Sequence, residues 1–193
     1  MFGAHGRRAK NTFYEEAVRI PLLMRLPGVV PAGTVCDACL GTVDIMPTLL
    51  GLLRLPVPGA VEGTDCSRLA RGEAGGEPPA AFLQNTGACA AWEDGFEWRA
   101  LREKRFTYAV YRRDGAELLF DNIADPLQME DLAARREYAA TLAGLRQALL
   151  QKMDSTGDTF ECCTWYRDNW TVDREILRTA TLNAGRGGPV SGA

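Results

Sequence analysis

Cationic and titratable side chains crowd the start of the chain. His5, Arg7 and Lys10 lie in the run Gly3-Ala4-His5-Gly6-Arg7-Arg8-Ala9-Lys10-Asn11-Thr12-Phe13-Tyr14-Glu15-Glu16. A lysine ammonium is a compact point charge with three donors, and an imidazole can donate, accept or carry charge near neutral pH. Glycines between them let the backbone turn freely. A loop presenting such groups just ahead of the apolar run Ile20-Pro21-Leu22-Leu23-Met24-Arg25-Leu26-Pro27 suits the binding of an oxyanion. His5 is the sole histidine, so it cannot assemble a ligand cluster alone. The competing readings are a solvated Lys10, a His5 that lines a pocket or bonds its own loop, and arginines that are simply hydrated.

Composition narrows the remaining classes. The 193 residues suffice for one compact domain, or a partial domain with a subdomain. A net charge of -3 without any basic block argues against nucleic acid as a partner. No apolar run approaches the roughly 20 residues needed to span a bilayer, so no membrane partner is expected. No apolar core follows the basic residues at the start, which points to a cytoplasmic chain unless Met1 is internal and a signal lies upstream. The cysteines are Cys36, Cys39, Cys66, Cys89, Cys162 and Cys163. Cys36 and Cys39 have the C-x-x-C form of zinc and redox sites, but no second pair stands at a suitable spacing, so free thiols are expected.

The elements that must position the basic loop follow from periodicity. Thr12–Val18 predicts a short helical turn, and Arg19–Leu26 a buried strand ended by Pro27-Gly28. Thr42–Leu53 predicts a helix capped by Asp44, with Pro47 in its first turn. Residues 57–80 read as surface connection with a turn at Glu62-Gly63-Thr64-Asp65. Strands are expected at Ala80–Thr86, Trp98–Arg112 and Glu117–Asp121, with Phe106, Tyr108 and Val110 on one face. Glu130–Met153 carries an apolar stripe of Tyr138, Leu142, Leu145 and Leu149 and predicts the longest helix. Residues 154–170 read as irregular, anchored by Trp165 and Trp170, and Thr171–Leu182 as one more short helix.

Four segments, in order, resemble the sulfatases of the alkaline-phosphatase-like superfamily. The first run resembles that family's H-G-x-x-x-K-x-x-x-Y-E-E. Thr42–Leu53 resembles its V-D-[IL]-x-P-T-[IL]-L helix, and Glu62–Asp65 its E-G-x-[DS] turn. Trp98–Tyr111 with Glu117–Ala133 resembles its R-x-x-R-[FY]-x-Y strand and L-[FY]-D-x-x-x-D-P run. The resemblance covers residues 3–153 and implies an α/β fold: the end of an alkaline-phosphatase-like sandwich (1–79), then a subdomain of small antiparallel sheet and long helix (80–153), then a tail (154–193).

Sulfate-ester cleavage needs a nucleophile, a divalent cation on the sulfate oxygens, cationic side chains and a leaving-group acid. The family's nucleophile is a formylglycine made within C-x-P-x-R or S-x-P-x-R, and no cysteine or serine here stands in that pattern. The family's metal-binding carboxylates, which hold calcium or another divalent cation, also belong to an upstream segment, so no metal ligand is assigned here. What the resemblance implies for this chain is Lys10 as the sulfate-binding lysine, His5 as a pocket or catalytic group, and Arg7 as a substrate contact. The chain is thus expected to be the C-terminal portion of a sulfuric ester hydrolase, inactive by itself. The alternatives are a non-catalytic module that binds or self-associates, and part of a phosphonate or phosphodiester hydrolase of the same superfamily. A homo-oligomer through exposed apolar faces is expected if the Arg19–Leu26 and Ile45–Leu53 segments lack packing partners.

Overall fold

Alternation of apolar and polar residues builds the centre of the molecule, a four-stranded antiparallel meander. The computed structural model describes residues 1–7, 10–87, 97–172 and 175–176. Three short helices precede the sheet: α1 (Glu15–Val18), α2 (Ile45–Leu52) and α3 (Ser67–Ala70). The strands β1 (Ala81–Asn85), β2 (Trp98–Arg102), β3 (Phe106–Tyr111) and β4 (Glu117–Asp121) pair in sequence order. The helices α4 (Ala139–Ser155) and α5 (Cys163–Trp170) follow, then the two-residue strands β5 (Thr171–Val172) and β6 (Glu175–Ile176).

The strand period of two gives the sheet two apolar faces. On one face Leu101, Tyr108 and Leu119 meet Leu142, Leu145, Leu149 and Met153 of α4, with Leu132 closing the cluster. Phe106 and Val110 pack against it from the Tyr108 side of β3, as the alternation predicts. On the other face Trp98, Ala100, Ala109 and Phe120 meet Phe13, which is completely buried. The sheet is therefore sandwiched between a long helix and the N-terminal segment. That mixed α/β arrangement, a small antiparallel sheet beside a long helix, is the expected one.

Several expectations are corrected. Trp98–Arg112 is two strands, not one, because the chain reverses at Glu103-Lys104-Arg105, where the Glu103 N–H donates to the Phe106 carbonyl at 2.8 Å. The long helix begins at Ala139 rather than Glu130. Upstream, carboxylates capture the backbone donors a helix would use: Asp125 accepts the Glu130 N–H at 2.7 Å and Asp131 accepts that of Ala133 at 2.9 Å. The Leu132 N–H instead donates to the Leu119 carbonyl at 2.8 Å, which covers the open edge of β4.

Arg19–Leu26 forms no strand and pairs with none among the described residues, and Ile20, Leu22 and Leu23 are exposed. A leucine-rich run forms a strand only where another edge offers hydrogen bonds. Residues 154–170 include a helix, α5, where an irregular tail was expected. At 171–176 the described residues pair as β5 and β6 rather than forming a helix, and the rest of that expected helix lies outside the described residues.

Asp44 also departs from its expected role. Its carboxylate accepts the N–H of Gly41 at 2.7 Å, and that of Thr64 at 2.7 Å, rather than first-turn donors of α2. It thereby ties the Glu62–Asp65 turn to the start of the helix. Thr48 of α2 adds a second tie by accepting the Cys66 N–H at 3.0 Å. Cys36, Cys39, Cys66 and Cys162 are free thiols. Cys163 is disulfide-bonded, which corrects the free-thiol expectation there. Its N–H donates to the Thr86 carbonyl at 2.6 Å, so it is fixed at the end of β1.

Candidate functional site

The basic loop at the chain start is mounted on the sheet by its aromatic end. Phe13 inserts between the second face of the sheet and the loop, its ring 5.4 Å from Trp98 in an edge contact and 5.9 Å from Tyr111. Trp98 also donates its indole N–H to the Asn11 carbonyl at 3.2 Å. Apolar burial and one directed hydrogen bond thus fix residues 11–13. From there the chain enters α1, which is locked separately. Arg102 of β2 forks onto the Glu15 carboxylate at 3.0 and 3.2 Å, and the Glu15 N–H donates to the Gln128 amide oxygen at 2.8 Å. Glu15 is therefore a structural anchor.

The loop itself is tightly turned. The Gly3 N–H bonds the Arg7 carbonyl at 2.9 Å and the Gly6 N–H the Gly3 carbonyl at 3.0 Å. Gly3 and Gly6 have φ of 105° and 69°, which glycine adopts without steric cost. His5 and Asn11 take φ of 52° and 66°, the strained left-handed region for side-chain-bearing residues. Such strain persists only where the surroundings impose it, and it clusters at functional sites.

Of the three expected site residues, the structure builds firm surroundings around one. The His5 ring lies flat on the Tyr14 ring, centroids 3.7 Å apart with 5° between planes. Its Nε2 lies 3.6 Å from the Glu16 carboxylate. Arg7 is exposed, and its charge acts on the hydroxyls of Tyr14 and Tyr111. Burial raises the pKa of both phenols; nearby acidic groups and, for Tyr14, the Tyr111 hydroxyl add to the rise, while Arg7 opposes it. Lys10 is exposed and has no hydrogen bond or ion pair among the described residues. No described contact joins Lys10 to His5; the two share the loop. Arg19–Leu26, expected to form a buried strand beside Lys10, is the largely exposed segment above that forms no strand.

The sequence pattern did not reveal the Glu16 partner of His5 or the Arg102 partner of Glu15. The only available signal was the Tyr14-Glu15-Glu16 run itself, because consecutive residues of one helical turn point about 100° apart and so serve different neighbours. Among the described residues no group of three or more His, Cys, Asp or Glu could hold a metal ion. Chemically, the described residues of the loop offer an ammonium, a guanidinium, a clamped imidazole and turn amides, a set that can receive an oxyanion.

A family model described as N-sulphoglucosamine sulphohydrolase, C-terminal, matches residues 3–155. The ulvan-active sulfatase of Formosa agariphila is 32% identical over 169 residues, which is 86% of this chain and 33% of that protein. The N-acetylglucosamine-6-O-sulfatase of Bacteroides thetaiotaomicron is 28% identical over 187 residues, 92% of this chain and 30% of that protein. The solved structure of BT4656 with its substrate D-glucosamine-2-N,6-O-disulfate superimposes with a TM-score of 0.67 over 91% of this chain and 34% of that one; at 23% identity it bears on the fold alone. The chain spans about a third of the length of these relatives.

Proposed function

The chain belongs to the sulfatases, in the family described as N-sulphoglucosamine sulphohydrolase, C-terminal, and we propose that it supplies the C-terminal part of a sulfuric ester hydrolase. In this reading the loop at His5–Lys10 is this chain's share of the sulfate pocket. Lys10 and Arg7 neutralise sulfate oxygens, and His5 lines the pocket or hands a proton to the leaving alcohol. The formylglycine nucleophile and the divalent cation, calcium or another, belong to a portion not encoded in these residues. The similarity to sulfatases named for ulvan and for N-acetylglucosamine 6-O-sulfate favours a sulfated carbohydrate as the ester.

The observation that carries this reading is the mounting of the loop. A solvated basic tail needs no fully buried Phe13, no strained His5 and no ring stack beneath the imidazole. The apolar groove between residues 22–30 and α2, about 350 Å³ and lined by Leu22, Leu23, Leu26, Ile45, Leu49 and Leu53, supports the same reading. We propose that it packs against the rest of the enzyme and that copies of the chain alone meet through it.

The test is calorimetric titration of the purified chain with inorganic sulfate, beside an aryl sulfate turnover assay with added divalent cation. Weak, salt-sensitive sulfate binding is expected, falling about two- to five-fold in Lys10→Ala, with no turnover. Sulfate binding indifferent to Lys10→Ala would remove the half-pocket reading. Turnover abolished by Lys10→Ala would show instead that the catalytic set is complete here.

A further inference from the structure

We propose that Tyr14 and Glu16 are positioning residues for His5: Tyr14 sets the plane of the imidazole and Glu16 sets its rotation within that plane. The proposal rests on reading His5 as part of the anion pocket. His5 sits in a turn of three residues, Ala4–Gly6, that buries nothing of its own. Yet its side chain is only 10% exposed. The cover comes from elsewhere.

The plane is set first. The Tyr14 ring lies parallel to the imidazole at 3.7 Å. Tyr14 cannot tilt freely, because Phe13 stands 4.8 Å from it and Phe120 meets it edge-on at 5.7 Å. Phe13 in turn is wedged on Trp98. An unbroken file of rings therefore runs from the sheet interior to His5, and each member limits the next.

Rotation within the plane is set by charge. Nε2 is fully enclosed and has no hydrogen-bond partner, and the Glu16 carboxylate lies 3.6 Å away. Glu16 is held there by its neighbour: the fork from Arg102 fixes Glu15, so α1 cannot rotate, and the next residue along the turn must face the loop. In a neutral ring the carboxylate favours the tautomer that carries its proton on Nε2. A ring fixed in both respects needs no reorganisation when an anion arrives, and its Nδ1 donates to that anion when the ring carries both protons.

The chain contains one histidine, so its imidazole resonances identify themselves in NMR spectra of the intact protein. The ring protons should be shifted upfield by Tyr14, and the ring ¹⁵N shifts should report the proton on Nε2. Tyr14→Phe should keep both. Tyr14→Leu should return the ring protons to free-imidazole positions while the Ala100 and Ala109 amides of the sheet stay in place. Glu16→Gln should retain the upfield shift but mix the two tautomers. Sulfate affinity should fall about two- to ten-fold in Tyr14→Leu and not in Tyr14→Phe, a range set by aromatic pair energies. Free-imidazole shifts in the wild-type chain would overturn the proposal without any variant, and so would equal sulfate affinity in Tyr14→Leu. If the wild-type ring is shifted as expected but no sulfate binds, the positioning stands and the anion reading falls.

Discussion

Replacing Asp158 by alanine should cost about 3–5 kcal/mol of folding stability, the range for removing one partner of a buried ion pair. The figure follows from what the carboxylate holds. The Arg99 guanidinium is fully buried in β2 and donates to Asp158 through Nε and, at 2.9 Å, through Nη2. The same carboxylate accepts the Gln84 amide at 2.6 Å, the Tyr166 hydroxyl at 2.8 Å and the Phe160 N–H at 2.7 Å. Without it, Arg99 keeps the carbonyls of Asn85, Trp98 and Glu161 and the face of Phe160, but no counter-charge among its described contacts. Dipoles alone do not repay the desolvation of a guanidinium. In a chain of this size each kcal/mol moves the melting midpoint by about 2–4 °C, so a fall of roughly 6–20 °C is expected.

Urea unfolding followed by tryptophan fluorescence measures this directly, with the midpoint falling at unchanged slope. The double variant Arg99→Met with Asp158→Leu removes both charges and should lose less than Asp158→Ala alone. The pH dependence supplies a further check. Burial pushes the Asp158 carboxyl upward, but Arg99, Gln84 and the Phe160 N–H outweigh it and hold the pKa below its ordinary value. A carboxylate with a depressed folded pKa stabilises above its unfolded value of about 3.9, and that stability is lost as pH falls through the folded value. The wild-type chain should weaken there, and Asp158→Ala should lack that component. A cost under about 1 kcal/mol, or a double variant as damaged as the two singles summed, would refute the reasoning.

Two other outcomes are expected. A Cβ on Gly63 would meet the Val43 carbonyl oxygen at 2.0 Å, and backbone cannot step aside, so Gly63→Ala should cost about 1–3 kcal/mol or more and raise the exchange rate of the Thr64 amide; an unchanged midpoint would count against the close approach. Leu23 and Leu49 are 95% and 46% exposed along the apolar groove. The wild-type chain should therefore self-associate with rising concentration in sedimentation experiments, and Leu23→Glu with Leu49→Glu should reduce it; a monomer at every concentration would remove that expectation.

Legibility in the sequence tracked the range of the forces involved. The stripe of Leu142, Leu145 and Leu149 and the alternation of Phe106, Tyr108 and Val110 are local periodicities, and both appear as read. The start of α4 was misplaced because Asp125 and Asp131 spend their carboxylates on backbone donors, a competition that periodicity does not register. Arginine is almost never fully buried unless paired, and the partner that allows it for Arg99 is Asp158, 59 residues away. Arg19–Leu26 has strand composition without an edge to join, so composition and structure part there. At the site, the basic loop was legible from residue types and spacing, whereas the clamp on His5 required the sheet, the Phe13 wedge and the Arg102 fork to be in place.

The loop is held near balance, which bears on what it can do. Phe2, His5 and Asn11 sit at φ of 49°, 52° and 66°, and three such residues cost roughly 3–6 kcal/mol together. Against that, burying the Phe13 side chain contributes about 2–3 kcal/mol. The Trp98 hydrogen bond adds about 1 kcal/mol, and the half-buried Arg102–Glu15 fork about 1–2 kcal/mol. The sums nearly cancel, whereas the α4 face buries eight apolar side chains and carries a single left-handed residue packed on it, Phe160 at φ 61°. Local opening should therefore begin at the N-terminal loop while the sheet and α4 stay folded. A site held this way keeps its strained shape because of the platform beneath it, and any contact that a sulfate or a neighbouring part of an enzyme adds to His5, Arg7 or Lys10 acts on an equilibrium already close to even.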